Sequence, residues 1–229
     1  HSEATFNYEV LHPCLEVIVN LLSPSTQFES YYVRGKEPLS AIIEQLELKG
    51  SKVDRRKVHN ADGIIRLRGF YDIEVLLLET SGHFRNKDTR KICFDNNKGM
   101  FALLAMLKST ADHFNRAIPE TLRNLKAFLY EHIRCWSAQY ISNGIYQFAL
   151  EDKVEVTEDR QRIQQSSVSL LDFFFNVKTF AVLQKLEREN EENNVVSSQE
   201  VLLSDIICSE VLRLTYITHG EGFGTQKLE

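Results

Sequence analysis

The sequence predicts an α+β (or α/β) domain with a central mixed β-sheet flanked by helices and a helical C-terminal extension. Apolar residues recur at helical spacing towards both ends of the chain, whereas short β-rich runs occupy its middle. The 229 residues, 43% of them hydrophobic and 26% charged, suffice for one substantial core. We expect an α/β domain over residues 1–190 and, over 191–229, a linker and a C-terminal helix packed on the same domain.

The N-terminal part is predicted to be helical. Apolar residues recur with a helical period over residues 2–22, which should form a helix that Pro13 bends or splits. Residues 23–26 break this pattern. Pro38 then opens a second helix over residues 37–48, because proline is favoured in the first turn of a helix.

Two β-rich runs follow, at residues 61–67 and 72–79, and they predict a hairpin with its turn centred on Phe70 and Tyr71. The second run is apolar on both faces near its end. This pattern is typical of a central strand that is covered on both sides.

The remainder of the chain predicts further helices and strands. Residues 88–116 form a long helix in which Gly99 is a candidate interruption, and Pro119 opens another helix that reaches about residue 132. The later predicted elements are strands at 135–141 and 145–148 joined by an Asn-Gly turn, a short strand at 154–156, a helix over 167–189, a solvated linker over 187–199 and a last helix over 199–213.

Composition narrows the class of protein. A net charge of −5 and a pI of about 5.9 argue against a uniformly basic nucleic-acid coat protein. The chain has four scattered cysteines, none of which forms a CxxC pair: Cys14, Cys93, Cys135 and Cys208. Scattered single cysteines are typical of reduced thiols, so we expect an intracellular protein, cytoplasmic or nuclear. The sequence shows no signal peptide, and its most apolar stretches are too short to cross a bilayer, so no membrane is expected among its partners.

The predicted hairpin brings two carboxylates together. With the turn placed as above, Leu67 faces Glu74 and Asp62 faces Glu79. Opposed side chains project from the same face, with Cβ atoms about 5 Å apart. Two carboxylates at that distance repel unless a proton or a cation lies between them, and Mg²⁺ suits such a pair. The alternative is that Asp62 only forms a turn and that Glu79 caps a strand or pairs with an arginine.

Charge is distributed unevenly around this hairpin. Residues 49–98 contain 12 basic and 7 acidic residues, a net charge of +5, whereas the rest of the chain carries −10. Basic side chains can bind phosphates, and the neighbouring carboxylates can hold a metal, so this combination predicts a phosphodiester site. The alternative is that the basic residues form a solvated charged face. The candidate nucleic-acid-binding residues are Arg55, Arg56, Lys57, Arg85, Lys87, Arg90 and Lys91.

These segments resemble the core of the PD-(D/E)XK nuclease-like superfamily. More narrowly, the chain is similar to a group of uncharacterised fungal members with a DG…LLExSG…DxxK core. The matching residues are Ser2-Glu3-Ala4-Thr5, Asp62-Gly63, Leu77-Leu78-Glu79-Thr80-Ser81-Gly82 and Asp95-Asn96-Asn97-Lys98. The resemblance spans roughly residues 2–175.

The resemblance implies a restriction-endonuclease-like core in which Asp62 and Glu79 bind Mg²⁺ or Mn²⁺. The motif lysine of the superfamily falls on Ser81, whose hydroxyl cannot supply the positive charge that stabilises the transition state. Some members carry this lysine on the following helix, so Lys98, and less favourably Lys91, is the candidate replacement.

Two function hypotheses follow. The first is a metal-dependent nuclease with Asp62, Glu79 and Lys98 as catalytic residues and DNA or RNA as substrate. The second is a catalytically inactive module of the same fold that binds nucleic acid or a protein partner, including a second copy in a homodimer. Glu3 is a candidate third carboxylate of the site, and its alternative role is that of an acidic residue in the first turn of a helix.

Overall fold

The fold is built on a six-stranded β-sheet whose strands lie in chain order. The computed structural model describes residues 3–22, 29–48, 58–80, 89–131, 134–142, 144–153, 179–195 and 201–207. The strands are β1 (Glu29–Pro38), β2 (Asn60–Arg68), β3 (Ile73–Glu79), β4 (Lys126–Glu131), β5 (Arg134–Ser142) and β6 (Ile145–Lys153). Neighbouring strands are antiparallel except β3 and β4, which are parallel. The predicted α+β class, with helices flanking a mixed sheet, is therefore confirmed.

Helices precede, interrupt and follow the sheet. They are α1 (Glu3–Phe6), a π-helical turn (Asn7–Leu11), α2 (His12–Leu22), α3 (Ser40–Glu47), α4 (Thr89–His113), α5 (Pro119–Leu122), α6 (Thr179–Val195) and α7 (Leu203–Ile206). Parallel strands cannot be joined by a tight turn, and α4 lies in the crossover that connects β3 to β4. This helix is continuous through Gly99, so no interruption occurs there.

Opposite faces of the sheet are covered by α2 and α4. On one face, the His12 ring of α2 contacts Tyr32 of β1, with ring centroids 5.7 Å apart. Through the strand register, Tyr32 lies on the same face as Phe128 of β4. Leu129 follows Phe128 in β4, so its side chain projects from the other face, because successive residues of a strand alternate. Gly99 of α4 lies against this Leu129 side chain.

The first strand was not predicted from the sequence. The predicted helix over residues 37–48 is shorter, spanning Ser40–Glu47, and β1 occupies Glu29–Pro38 before it. β1 is an edge strand of the described sheet and exposes much of its length, so its sequence lacks a clean alternation of apolar and polar residues.

The helix predicted from Pro119 to about residue 132 is also wrong. It ends after one turn at Leu122, and Lys126–Glu131 forms the central strand β4. Five of the six residues of β4 are buried. A short apolar run that is buried on both faces has no strand period, so its pattern alone does not distinguish it from a buried helix.

The β2–β3 hairpin forms as predicted, but its register changes along its length. Arg66, and not Leu67, pairs with Glu74, so that predicted pair is wrong. A β-bulge follows, and beyond it Gly63 pairs with Leu78, which is the predicted register. Continuing by one residue places Asp62 opposite Glu79.

The C-terminal elements differ from the predicted ones in extent. The segment predicted as a linker from residue 187 continues as helix α6 to Val195, and the last predicted helix is described only as Leu203–Ile206. The predicted strand at 154–156 and the beginning of the predicted helix at 167–178 lie outside the described residues. Within the part of the chain that the structure covers, no helix has the length and apolar character needed to cross a membrane.

Candidate functional site

One edge of the sheet gathers three buried carboxylates. Glu79 and Glu131 end the parallel strands β3 and β4 and are paired in register. Asp62 lies near the start of β2, which is antiparallel to β3, so it reaches the same edge. Acidic side chains are rarely buried unless they are paired, so this cluster indicates a site or a specific polar network.

The two oxygens of the Asp62 carboxylate are held differently. Oδ2 accepts hydrogen bonds from the Thr80 backbone N–H at 2.9 Å and from the Thr80 hydroxyl at 2.5 Å. Oδ1 lies 2.5 Å from Nζ of Lys36. Burial by itself raises the pKa of Asp62, but the hydrogen bonds from Lys36 and Thr80 outweigh it, and the pKa lies below its ordinary value.

Glu79 is held in a similar way by two partners. Its Oε2 lies 3.1 Å from Nε2 of His59, whose side chain is fully buried. An ionised carboxylate only accepts, so Nε2 is the donor of this hydrogen bond. The other oxygen, Oε1, accepts from Nζ of Lys98 on α4 at 3.2 Å.

Both carboxylates therefore share one arrangement. One oxygen is fixed by a buried group, Thr80 for Asp62 and His59 for Glu79. The other oxygen contacts a lysine ammonium that retains access to solvent. We call these the anchored oxygen and the outer oxygen of each carboxylate.

The N-terminal helical segment also contacts this edge. Asn7, the first residue of the π-helical turn, donates from Nδ2 to the Thr80 hydroxyl at 2.9 Å. The single hydroxyl proton of Thr80 is directed at Asp62, so the amide must be the donor in this contact. Within the described residues, two buried atoms near the site, Asn7 Oδ1 and His59 Nδ1, have no hydrogen-bond partner.

The donor chemistry of the site fits a hard divalent cation. Carboxylate oxygens are the ligands that Mg²⁺ prefers, and this ion commonly binds to only one or two carboxylates and completes its shell with water and phosphate. No group of three or more His, Cys, Asp or Glu side chains arranged to hold a metal occurs in the described ranges. Asp62 and Glu79 are the two carboxylates here that could hold such an ion.

The structure brings together the three predicted catalytic residues. Most of the predicted nucleic-acid-binding residues lie outside the part of the chain that it describes. Asp62, Glu79 and Lys98 meet at the same sheet edge. Ser81 and the basic residues Arg55, Arg56, Lys57, Arg85 and Lys87 lie outside the described residues. Glu3 begins α1, and Arg90 and Lys91 belong to α4, but their side chains are not among those described.

Five residues of this edge were not found from the sequence: Lys36, His59, Thr80, Asn7 and Glu131. Lys36 and Glu131 belong to the two strands that were not predicted. Asn7 and His59 reach the site only through tertiary packing and carry no local signal. Thr80 directly follows Glu79 in the sequence, and this position next to a predicted site residue could have indicated that Thr80 belongs to the site.

Comparison with protein-family models, with curated proteins and with solved structures gives no match to this chain. A functional assignment therefore depends on the residues of the site itself.

Asp62 is expected to make the protein sensitive to acid. Its pKa is lower in the folded protein than the ordinary value of 3.8, so its contribution to stability is present above about pH 4 and is lost as the pH falls further. Asp62→Asn should therefore reduce the slope of the unfolding free energy against pH below about pH 4, measured by urea denaturation. The exposed Asp205→Asn is the control, and an unchanged slope in Asp62→Asn would contradict this role.

Proposed function

We propose that this protein is a nuclease-like enzyme of the PD-(D/E)XK type that hydrolyses phosphodiesters of nucleic acid with Mg²⁺ or Mn²⁺. The observation that carries the proposal is the 3.2 Å contact between Lys98 Nζ and Glu79 Oε1. It supplies an ammonium beside the carboxylate pair although residue 81 is a serine.

Each residue has a distinct role in this proposal. Asp62 and Glu79 hold the cation, which supplies Lewis-acid polarisation of the phosphate. Lys98 stabilises the negative charge that develops on the phosphate oxygens, because a cation that is already in position needs no reorganisation during the reaction. His59 fixes the orientation of Glu79 by occupying its anchored oxygen.

DNA or RNA is the proposed substrate, and the basic segments around residues 49–57 and 85–91 are proposed to grip its backbone. The first segment ends shortly before His59, and the second follows Thr80 closely in the chain. Both segments are close in sequence to residues of the site edge, and this proximity along the chain supports the proposal. An intracellular location, cytoplasmic or nuclear, belongs to the same proposal.

A second candidate is an inactive module of the same fold that binds nucleic acid, a protein partner or a second copy of this chain. It is favoured by the charge balance of the site. Lys36 and Lys98 already provide an ammonium for each carboxylate, so the pair has no need of a cation for neutrality. The serine at position 81, in place of the motif lysine, also favours an inactive module.

A cleavage assay separates the two candidates. The full chain is incubated with labelled single- and double-stranded DNA and RNA in Mn²⁺, in Mg²⁺ and in EDTA. We expect products only with a divalent cation, and a loss of roughly 100-fold or more in Glu79→Gln, since this substitution removes a metal-ligand charge. Glu29→Gln is the matched control, because its side chain is exposed on β1.

Equal product formation by wild type and Glu79→Gln would overturn the catalytic assignment of Glu79. Binding of a nucleic acid without cleavage under all of these conditions would favour the inactive module.

A further inference from the structure

The Lys36–Asp62 pair joins an exposed side chain to a buried one. The Lys36 side chain is 69% exposed, whereas that of Asp62 is 7% exposed. Thr80 fixes Oδ2 from inside the protein, so Oδ1 is the Asp62 oxygen that meets a solvent-exposed group. Among the described contacts, Oδ2 is held by Thr80 inside the protein, and Oδ1 contacts the exposed ammonium of Lys36. Another cation could therefore replace Lys36 at Oδ1.

A β-bulge places Lys36 at this position. Arg34 pairs with Gly63 and Glu37 pairs with Ala61, so Gly35 and Lys36 together oppose the single residue Asp62. Gly35 has a φ of +91°, in the left-handed region that favours glycine. Bulges redirect side chains and are frequent beside active sites, and here the bulge directs Lys36 onto the site edge.

We propose that Lys36 is a phosphate-binding residue that occupies Asp62 Oδ1 in the cation-free protein and leaves it when a divalent cation binds there. The inference rests on the proposed function, because it takes the cation site and the phosphodiester substrate from it. Lys36 thereby adds a second ammonium to the site, beside that of Lys98.

The exchange follows from competition for one oxygen. An ammonium and a divalent cation at the same carboxylate oxygen repel each other, and replacing one by the other keeps the buried carboxylate paired with a positive charge. The Lys36 side chain is 69% exposed, so water can solvate its ammonium when a cation displaces it from Asp62. Its backbone stays opposite Asp62, and its flexible stem keeps the ammonium within reach of a phosphate bound at the cation.

Two binding measurements on Lys36→Met test the proposal in opposite directions. Calorimetric titration with Mn²⁺ should give a Kd roughly 3- to 10-fold lower than in wild type, since the competing ammonium is gone. Fluorescence anisotropy with a labelled single-stranded DNA oligonucleotide in Ca²⁺ should give a Kd roughly 3- to 10-fold higher, with a shallower salt dependence. A lysine with a purely structural role would weaken both.

Lys185→Met is the matched control, because Lys185 is likewise an exposed lysine paired with a buried carboxylate, that of Glu189, but belongs to α6 and not to the site edge. It should leave both dissociation constants unchanged. Wild-type protein provides a second measurement: acetylation of the Lys36 amine, followed by mass spectrometry, should become faster when Mn²⁺ is added.

The outcomes separate this inference from the proposed function. If wild type and Lys36→Met bind Mn²⁺ equally, or the variant binds it more weakly, the exchange is wrong while the cation site stands. If Mn²⁺ binding tightens but oligonucleotide binding is unchanged, the phosphate-binding role is wrong. If neither protein binds Mn²⁺, the proposed metal site fails and the exchange fails with it.

Discussion

Glu74→Ala is expected to lower the free energy of unfolding by about 3–5 kcal/mol. The Glu74 carboxylate is buried in β3 and accepts hydrogen bonds from the backbone N–H groups of Ser40 at 2.8 Å and Ala41 at 3.0 Å. It also accepts from the Arg66 guanidinium at 3.0 Å.

This carboxylate acts as the cap of α3 from a distant strand. Leu39, at the N-cap position, provides no side-chain hydrogen bond, so the first two N–H groups of the helix depend on Glu74. Removing it would leave the half-buried Ser40 N–H and the buried Ala41 N–H without this acceptor. Among the described residues, Arg66 would retain only Glu37 as a carboxylate partner. The cost is largest for the Ala41 N–H and the Arg66 guanidinium, which have little access to water.

Urea denaturation measures this effect directly. Glu29→Ala is the control, since Glu29 and Arg68 form an ion pair in which both side chains are 61% exposed. Such pairs contribute about 0–1 kcal/mol. A loss below about 1 kcal/mol in Glu74→Ala would show that the long-range cap does not stabilise α3 as described.

Gly63→Ala is expected to destabilise the protein by about 1–3 kcal/mol, although it adds only a methyl group. A Cβ atom at this position would overlap the hydroxyl and ring of Tyr32, which packs across β2 from the neighbouring strand. The ring has little freedom to move away, because its hydroxyl is hydrogen-bonded to His12 Nδ1 at 2.7 Å.

A double-mutant cycle tests this cause. In a Tyr32→Ala background the space above Gly63 is empty, so Gly63→Ala should cost much less than it does in wild type. The same cost in both backgrounds would mean that the destabilisation comes from the backbone of β2 and not from contact with Tyr32.

The hairpin and its carboxylates were predictable because their signals are local. Two β-rich runs with a turn between them predicted β2 and β3, and the register that sets Asp62 opposite Glu79 holds beyond the bulge. The Leu67–Glu74 pair was wrong because a bulge in this ladder leaves no pattern in the sequence. Lys98 was predicted through the resemblance, because some members of that superfamily carry the motif lysine on the following helix, and α4 brings Lys98 to Glu79.

The rest of the site depends on packing that the sequence does not display. Lys36 lies on an exposed edge strand, whose charged residues conceal the strand period. Glu131 ends a strand that is too short and too uniformly apolar to identify. His59 meets Glu79, and Asn7 meets Thr80, only after the strands and the N-terminal helices have assembled.

The chain-ordered sheet has a consequence for the order of folding. Within β1–β3 and within β4–β6, every paired strand follows its partner along the chain, so two antiparallel meanders can form by closing comparatively short loops. Joining them requires the single parallel seam between β3 and β4, across the segment that contains α4. Distant pairings are the slow steps of folding. Because Glu131 lies across that seam from Glu79, this third carboxylate joins Asp62 and Glu79 only when the two halves of the sheet meet.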